Sequence, residues 1–169
     1  SINLSSVTEI GKSSFSNTAV EKITLGEGMT TIPESAFSNC KSLTKGVLPE
    51  TIEKIEEKAF RNCSALTRIT LNEGLKTIGQ EAFLGAHLST LHLPSTFENM
   101  GDVFEEAGKT IADKNMKTIT VSGDNPLYSS YKGILYNKDG DEVVFCPRGR
   151  TSAKVADGVM KIRSYAFFM

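Results

Sequence analysis

Apolar residues return along the chain at a nearly constant interval. Three residue types form separate columns, and neighbouring members of each column are 22 or 23 residues apart. The columns are Ile10, Ile32, Ile55 and Ile78; Phe15, Phe37, Phe60 and Phe83; and Leu25, Leu48, Leu71 and Leu93. Self-similarity at a period of about 20–50 residues is the signature of repeat proteins, whose units bury apolar surface against their neighbours. The pattern therefore predicts a solenoid of stacked units.

One half of each unit has the apolar spacing of a short strand. In segment 66–71, Leu66, Ile69 and Leu71 hold the first, fourth and sixth positions, and the last two alternate with a polar residue. A strand with one buried face needs this alternation. The same spacing recurs in Val20/Ile23/Leu25, Leu88/Leu91/Leu93 and Met116/Ile119/Val121. The imperfect copy has Gly46 at its fourth position. We expect short parallel strands along one face of the solenoid.

The other half of the unit joins an isoleucine to an Ala-Phe pair. Ile55 is followed by Ala59 and Phe60, and two further units repeat the spacing at Ile32…Ala36-Phe37 and Ile78…Ala82-Phe83. This spacing favours a single helical turn with the three apolar side chains directed inward. The halves are joined by Gly-containing turns at 27–28, 73–74 and 157–158, or by segments that follow Pro49 and Pro94.

The regular period changes after Leu93. Segment 100–104 resembles the Ile…Ala-Phe half with one residue removed, and a polar stretch over 105–114 predicts an enlarged turn. Two apolar runs then flank Asp139 and Gly140, a strong signal for a β-hairpin. The predicted organisation is one solenoid over 1–169, with regular repeats over 1–123, a hairpin insert over 124–150 and the start of a truncated repeat over 151–169.

These motifs resemble the BspA-type leucine-rich repeats of bacterial and protozoan surface proteins. The resemblance is carried by segment 55–71 with its neighbours, and by the insert motif Asn125-Pro126…Tyr128…Gly133-Ile-Leu-Tyr136-Asn…Pro147. The expected fold is therefore an α/β repeat, a right-handed leucine-rich-repeat solenoid with parallel strands on one face and short helical turns on the other. The resemblance implies a secreted or cell-surface protein without catalytic residues, adhesive or host-matrix-binding in some members.

Charge and composition narrow the classes of partner. The chain has 19 Lys plus Arg against 20 Asp plus Glu, which argues against nucleic-acid binding because that needs a concentrated basic surface. No apolar run approaches the roughly 20 residues that span a bilayer. The chain begins at Ser1 without a signal segment and stops just after the Ala-Phe of an incomplete unit. We expect a fragment of a longer array, monomeric and without membrane insertion.

The outward-facing strand positions supply the first candidate binding surface. One column reads Lys22, Lys45, Arg68, Thr90 and Thr118, and the next reads Thr24, Val47, Thr70, His92 and Thr120. Three basic residues in register suit an acidic patch or a sulfated glycan. The alternative is that solvated charges merely keep the face soluble. The aromatic candidates are Tyr128, Tyr131 and Tyr136, which either form a recognition surface or pack the insert onto the solenoid.

Other reactive residues predict no metal, cofactor or catalytic site. Cys40 and Cys63 occupy equivalent places in successive units, so a disulfide is geometrically conceivable, although small buried thiols fit the position better. His87 and His92 have no Asp, Glu or Cys at ligand spacing. Asp139, Asp141 and Glu142 form an acidic turn that suits calcium or, more simply, solvated turn chemistry.

The sequence thus predicts a non-enzymatic surface module that binds an extracellular protein or glycan. A structural stalk that holds another domain away from the cell surface is the alternative. A third reading makes the chain the targeting repeat of a cell-wall enzyme.

Overall fold

The structure is a computed structural model that describes residues 1–99, 115–164 and 166–167. The altered unit at 100–104 and the polar stretch at 105–114 lie outside the described residues. Thirteen short strands occur in the described part: β1 (Ile2–Leu4), β2 (Ile23–Leu25), β3 (Thr31–Ile32), β4 (Lys45–Val47), β5 (Lys54–Ile55), β6 (Arg68–Thr70), β7 (Thr77–Ile78), β8 (Thr90–Leu93), β9 (Thr118–Val121), β10 (Tyr128–Tyr131), β11 (Ile134–Asn137), β12 (Glu142–Phe145) and β13 (Lys161–Ile162).

The predicted parallel strands are confirmed. Strands β2, β6, β8 and β9 lie within the predicted strand halves, and each pairs in parallel with a strand of a neighbouring turn. Along this side the ladder is divided into three two-stranded sheets, β1–β2, β4–β6 and β8–β9. A second, narrower side is formed by β3, β5 and β7, which place Ile32, Ile55 and Ile78 of the isoleucine column in one three-stranded parallel sheet.

The predicted helical turns are wrong, because no helix occurs in residues 1–99, 115–164 or 166–167. The backbone explains the difference. In the unit that contains Ala59 and Phe60, Lys58 and Asn62 both have positive φ, at 57° each. The equivalent pairs are Ser13 and Asn17, Ser35 and Asn39, and Glu81 and Gly85. Left-handed residues four positions apart cannot continue a right-handed helix.

Hydrogen bonds of this segment alternate between the chain's own turn and the next one. The Ala36 N–H donates to Pro33 O at 3.1 Å and closes a tight turn. The N–H of the adjacent Phe37 instead donates to Ala59 O of the next turn at 2.9 Å. A helix would direct both N–H groups back into its own segment. The segment therefore joins successive turns much as a β-sheet does, while it still bends the chain.

The core follows the apolar columns predicted from the sequence. Phe37, Phe60 and Phe83 are fully buried, and consecutive rings of the phenylalanine column lie 5.4–5.5 Å apart between centroids. Their planes are inclined by only 7–11°. Ala36, Ala59 and Ala82 beside them are also fully buried. Stacking of one turn on the next thus merges the columns into a single apolar core.

The stacked cysteines are free and buried. The Cys63 thiol donates to Phe37 O at 3.1 Å, and Cys40 makes the equivalent bond to Phe15 O. Burial, followed by the proximity of Cys40, raises the pKa of the Cys63 thiol to about 12. Both thiols thus act as small core residues that satisfy a carbonyl of the preceding turn.

The insert contains one more hairpin than predicted. Strands β11 and β12 pair antiparallel around the expected turn, in which Gly140 has a φ of 77°. Strand β10 also pairs antiparallel with β11, through a two-residue turn of Lys132 and Gly133, both with positive φ. Strand β12 then pairs in parallel with β13. The insert boundaries at 124 and 150 stay a prediction.

Gly46→Ala is expected to stabilise the fold by about 0.4–1 kcal/mol, because alanine lowers the conformational entropy of the unfolded chain. Gly46 has no positive φ, and a Cβ there would lie 3.7 Å from the Ile69 side chain, an ordinary contact. Urea denaturation should show a higher midpoint with an unchanged slope. A lower midpoint would mean that the strand cannot accept even a methyl group.

Candidate functional site

The candidate surface is the outward side of β1, β2, β4, β6, β8 and β9, here called the strand face. Along β8 the residues alternate between exposed and buried, so that Thr90 and His92 point outward while Leu91 and Leu93 enter the core. The period of two along each strand and the stacking of turns together produce columns of exposed side chains.

The basic column lies in register on the strand face as the spacing predicts. Lys22 pairs with Lys45, and Lys45 pairs with Arg68. All three residues are exposed, and none of them forms an ion pair with another described residue. Adjacent strands are about 4.8 Å apart, and like charges on neighbouring strands repel one another. Thr90 continues the column and pairs with Thr118.

The neighbouring column is mostly small and polar but contains one apolar side chain. Val47 is 62% exposed, far more than the core valines, and lies opposite Thr70 in the ladder. His92 and Thr120 are paired, with 2.9 Å between His92 Nδ1 and Thr120 Oγ1. An exposed aliphatic side chain beside three cations gives the strand face both charge and apolar contact area.

A third column on the strand side is acidic. Glu27, Glu50 and Glu73 each follow the buried leucine of their strand by two residues, and all three are exposed. Ser95 donates to the Glu73 carboxylate from its hydroxyl at 2.6 Å, and this bond lowers the pKa of Glu73. The sequence predicted only turns at these positions. Their intervals of 23 residues, equal to those of the leucines, were the signal that they stack.

A shallow depression of about 560 Å³ lies between the basic and acidic columns. Its lining includes Lys22, Lys45, Val47, Glu27 and Glu50. This depression brings together two of the basic candidates, the exposed valine and two residues that were not predicted. Arg68, Thr90 and His92 lie farther along the same face, outside the depression.

The three candidate tyrosines do not form one surface. Tyr136 is only 1% exposed, and its hydroxyl accepts a hydrogen bond from the Ala156 N–H at 3.1 Å. Tyr136 is thus excluded from an exposed binding surface, because it packs β11 against the chain that follows the insert. Tyr128 is half-buried beside Phe97, with 5.9 Å between ring centroids, and donates to Glu98 O at 3.2 Å. Tyr131 alone is well exposed, at 42%.

Asp141 and Glu142 of the acidic turn in the insert are engaged in protein contacts. Asn137 donates to Asp141 Oδ1 at 2.7 Å, and Glu142 forms ion pairs with Lys161 at 2.9 Å and Arg163 at 3.1 Å. Within the described ranges no three His, Cys, Asp or Glu residues converge in a way that suits a metal ion. Glu142 instead fastens β12 to the segment that contains β13.

Glu142→Gln is expected to destabilise the protein by about 1.5–3 kcal/mol near neutral pH, because it removes charge-assisted hydrogen bonds from a largely buried carboxylate. The Arg163 hydrogen bond, opposed by burial and aided by Lys161, lowers the pKa of Glu142 below its ordinary 4.5. A lowered folded-state pKa stabilises the fold above the unfolded pKa, and this contribution is lost as the pH falls through the folded value.

Urea denaturation at several pH values measures the effect. The difference in unfolding free energy between Glu142→Gln and the wild type should shrink as the pH falls below the ordinary pKa of 4.5. A difference that stays constant in acid would show that the carboxylate charge does not contribute.

Parallel strands stacked turn on turn over columns of Leu, Ile and Phe define a leucine-rich-repeat solenoid of about six turns. The chain belongs to the BspA type leucine rich repeat family, whose sequence model matches residues 1–107 in six copies. No curated protein matches the chain. Among the described residues, no helix is long and apolar enough to cross a membrane.

Solved structures of bacterial repeat proteins share this fold. The pneumococcal vaccine antigen PcpA is 25% identical with a TM-score of 0.81, over 98% of this chain and 42% of that one. A leucine rich cell surface protein from Faecalibacterium prausnitzii A2-165 is 24% identical with a TM-score of 0.60, over 96% and 50%. A leucine-rich repeat protein from Bacteroides ovatus is 18% identical with a TM-score of 0.66, over 98% and 45%. The chain thus spans half or less of the length of these proteins.

Proposed function

We propose that this chain is a non-catalytic binding module that uses the strand face to hold an extracellular macromolecule. The observation that carries the proposal is the basic column of Lys22, Lys45 and Arg68, exposed, in register and without ion pairs among the described residues. Like charges on neighbouring strands repel. An anionic group bound across them would relieve that repulsion, so the free protein is arranged for such a contact.

The family supports a location at the cell surface or outside the cell. BspA-type repeats and a cell surface protein among the structural neighbours are the basis for this part of the proposal. We expect the partner to be a host-matrix protein or a glycan. A regular solenoid also fits the role of a spacer, which would place no ligand on the strand face.

Binding of the intact chain to immobilised fibronectin and to heparin tests the proposal. We expect binding to at least one of them, weakened by added salt because the contact is ionic. Lys45→Glu combined with Arg68→Glu should lower the affinity at least about tenfold, which corresponds to about 1.4 kcal/mol. The matched control reverses Lys41 and Lys154, which are exposed outside the strand face.

The three negative outcomes have different meanings. Binding that is unchanged in the Lys45/Arg68 variant would remove the basic column from the binding site. An absence of binding to both probes would overturn the proposal and favour the spacer. Equal losses in the control variant would show a nonspecific response to net charge.

A further inference from the structure

The parallel ladder of the strand face is interrupted between β2 and β4. These strands are joined by one isolated bridge, Lys22 with Lys45, and belong to different sheets. By contrast, β4 and β6 pair at three consecutive positions. Beyond the bridge, β2 and β4 therefore present strand edges that do not continue into a ladder with each other. Such edges can pair with another extended chain.

The depression described above opens at this interruption, and core residues form its floor. Ile23, Leu25 and Leu48 line it together with the charged and exposed residues of the rim. Ile23 and Leu25 retain 5% and 7% exposure, whereas Leu91 and Leu93, at the same positions of β8, are 1% and 0% exposed. Apolar surface is thus accessible to solvent, and to a ligand, at the floor of the depression.

The two ends of this cleft carry opposite charges. Lys22 and Lys45 lie where the strands begin, and Glu27 and Glu50 lie five residues later, where the strands have ended. Five residues span at most roughly 16 Å, and the two ends are closer than this because Glu27 and Glu50 lie in turns. Exposed Val47 lies between the charged ends. The cleft is therefore basic, then apolar, then acidic along the strand direction.

We propose that the β2/β4 cleft binds an extended segment of a partner protein that runs along the strands. The segment places an acidic side chain over Lys22 and Lys45, an apolar side chain against Val47 and the cleft floor, and a basic side chain over Glu27 and Glu50. Its charged residues are four or five positions apart, because an extended ligand has the same rise per residue as the strands beneath it. This assignment rests on the proposed function of the strand face and adds the class of its ligand.

The charge arrangement favours a peptide over a sulfated glycan in this cleft. A polyanion gains from the basic end but is repelled by the two carboxylates at the acidic end. A peptide can match both ends and can also offer backbone N–H and C=O groups to the open strand edges. A glycan would instead follow the basic column across the strands and would not use Glu27 or Glu50.

Selection from a phage-displayed library of random dodecapeptides against the intact chain tests this inference. Enriched peptides should carry Asp or Glu and Lys or Arg four or five residues apart, with apolar residues between them. The affinity of a synthetic enriched peptide should fall at least about tenfold in Glu27→Lys/Glu50→Lys and in Lys45→Glu. The control, Glu9→Lys combined with Lys41→Glu, changes exposed residues away from the cleft and should bind as the wild type does.

Each alternative result overturns the inference. These results are an absence of enrichment, enrichment of uniformly acidic peptides, and an affinity that does not respond to Glu27→Lys/Glu50→Lys. Circular dichroism melting of every variant shows that any lost affinity does not come from unfolding. Heparin binding that depends on Lys45 and Arg68, in the absence of peptide enrichment, would uphold the proposed function while the peptide cleft fails.

Discussion

Phe60→Ala is expected to lower the free energy of unfolding by about 3–5 kcal/mol. Phe60 is fully buried, and its ring lies 5.5 Å from those of Phe37 and Phe83 between centroids. Removal of the ring takes apolar contacts from both neighbouring turns and leaves a cavity between them. The backbone on either side cannot easily collapse into it, because Phe60 N–H and Phe37 N–H hold the turns together at 2.8 and 2.9 Å. The loss should therefore lie near the upper part of that range.

Urea denaturation measures this loss, and Phe15→Ala is its matched control. Phe15 belongs to the same column but is only half-buried and, among the described residues, stacks on Phe37 alone. Its replacement should lower the free energy of unfolding by clearly less, about 1–2 kcal/mol, because folding removes less of the apolar surface of Phe15 from contact with water. Equal losses of unfolding free energy at Phe15 and Phe60 would contradict the view that the central ring stabilises the fold more because it stacks between two turns.

The core was predictable because burial acts on every turn in the same way. Each turn must cover its apolar face with the next turn, so the positions of Ile55 and Phe60 recur at the repeat interval. Lys22, Lys45 and Arg68 were predictable as one column for the same reason, since stacking brings exposed positions into register as well. Residues that recur at the repeat interval become neighbours in the stack, whether they lie in the core or on the surface.

The backbone between Ile55 and Phe60 was not predictable from apolar spacing. A helical turn and a pair of left-handed residues both direct these side chains inward. Asn62 and Gly85 carry a partial signal, because asparagine and glycine tolerate positive φ better than other residues. Lys58 and Glu81 carry none. The Lys58 N–H donates to Gln80 O of the next turn at 2.9 Å, so a contact between turns helps to hold its conformation.

The burial of Tyr136 in the insert is a second feature that apolar spacing does not predict. Tyr136 lies in β11 with Ile134 and Leu135, and all three are buried, so alternation along the strand gives no outward side. The chain that follows the insert covers Tyr136 through Ala156, 20 residues away. This hydrogen bond does not recur at the repeat interval among the described residues, so it leaves no period in the sequence. Columns of recurring residues could be predicted from the sequence, whereas contacts that do not recur could not.

Asn125→Ala is expected to destabilise the protein by about 3–5 kcal/mol, as much as the loss of a central phenylalanine. Asn125 is fully buried, and its amide donates to Pro94 O at 3.1 Å and Phe97 O at 2.8 Å. Its side-chain oxygen accepts from the N–H groups of Leu127 and Tyr128 at 2.9 and 2.8 Å. Alanine leaves these four backbone groups, two in buried and two in part-buried bonds, without that partner. A buried group left unpaired costs about 1–3 kcal/mol. Contributions within one network do not add fully, which keeps the total below their sum.

Asn3→Ala is the control, because Asn3 is exposed and its side chain accepts one hydrogen bond, from Ser5 N–H. That change should cost no more than about 1 kcal/mol. Hydrogen exchange separates local from global effects, since Asn125 joins the turn at Pro94 to the start of the insert. In Asn125→Ala, amides of β10 and β11 should lose protection before those around Phe37, whereas Phe60→Ala should expose the central turns first. The same order of exchange in both variants would mean that the insert and the repeats unfold as one unit. Asn125 would then not stabilise the insert separately from the repeats.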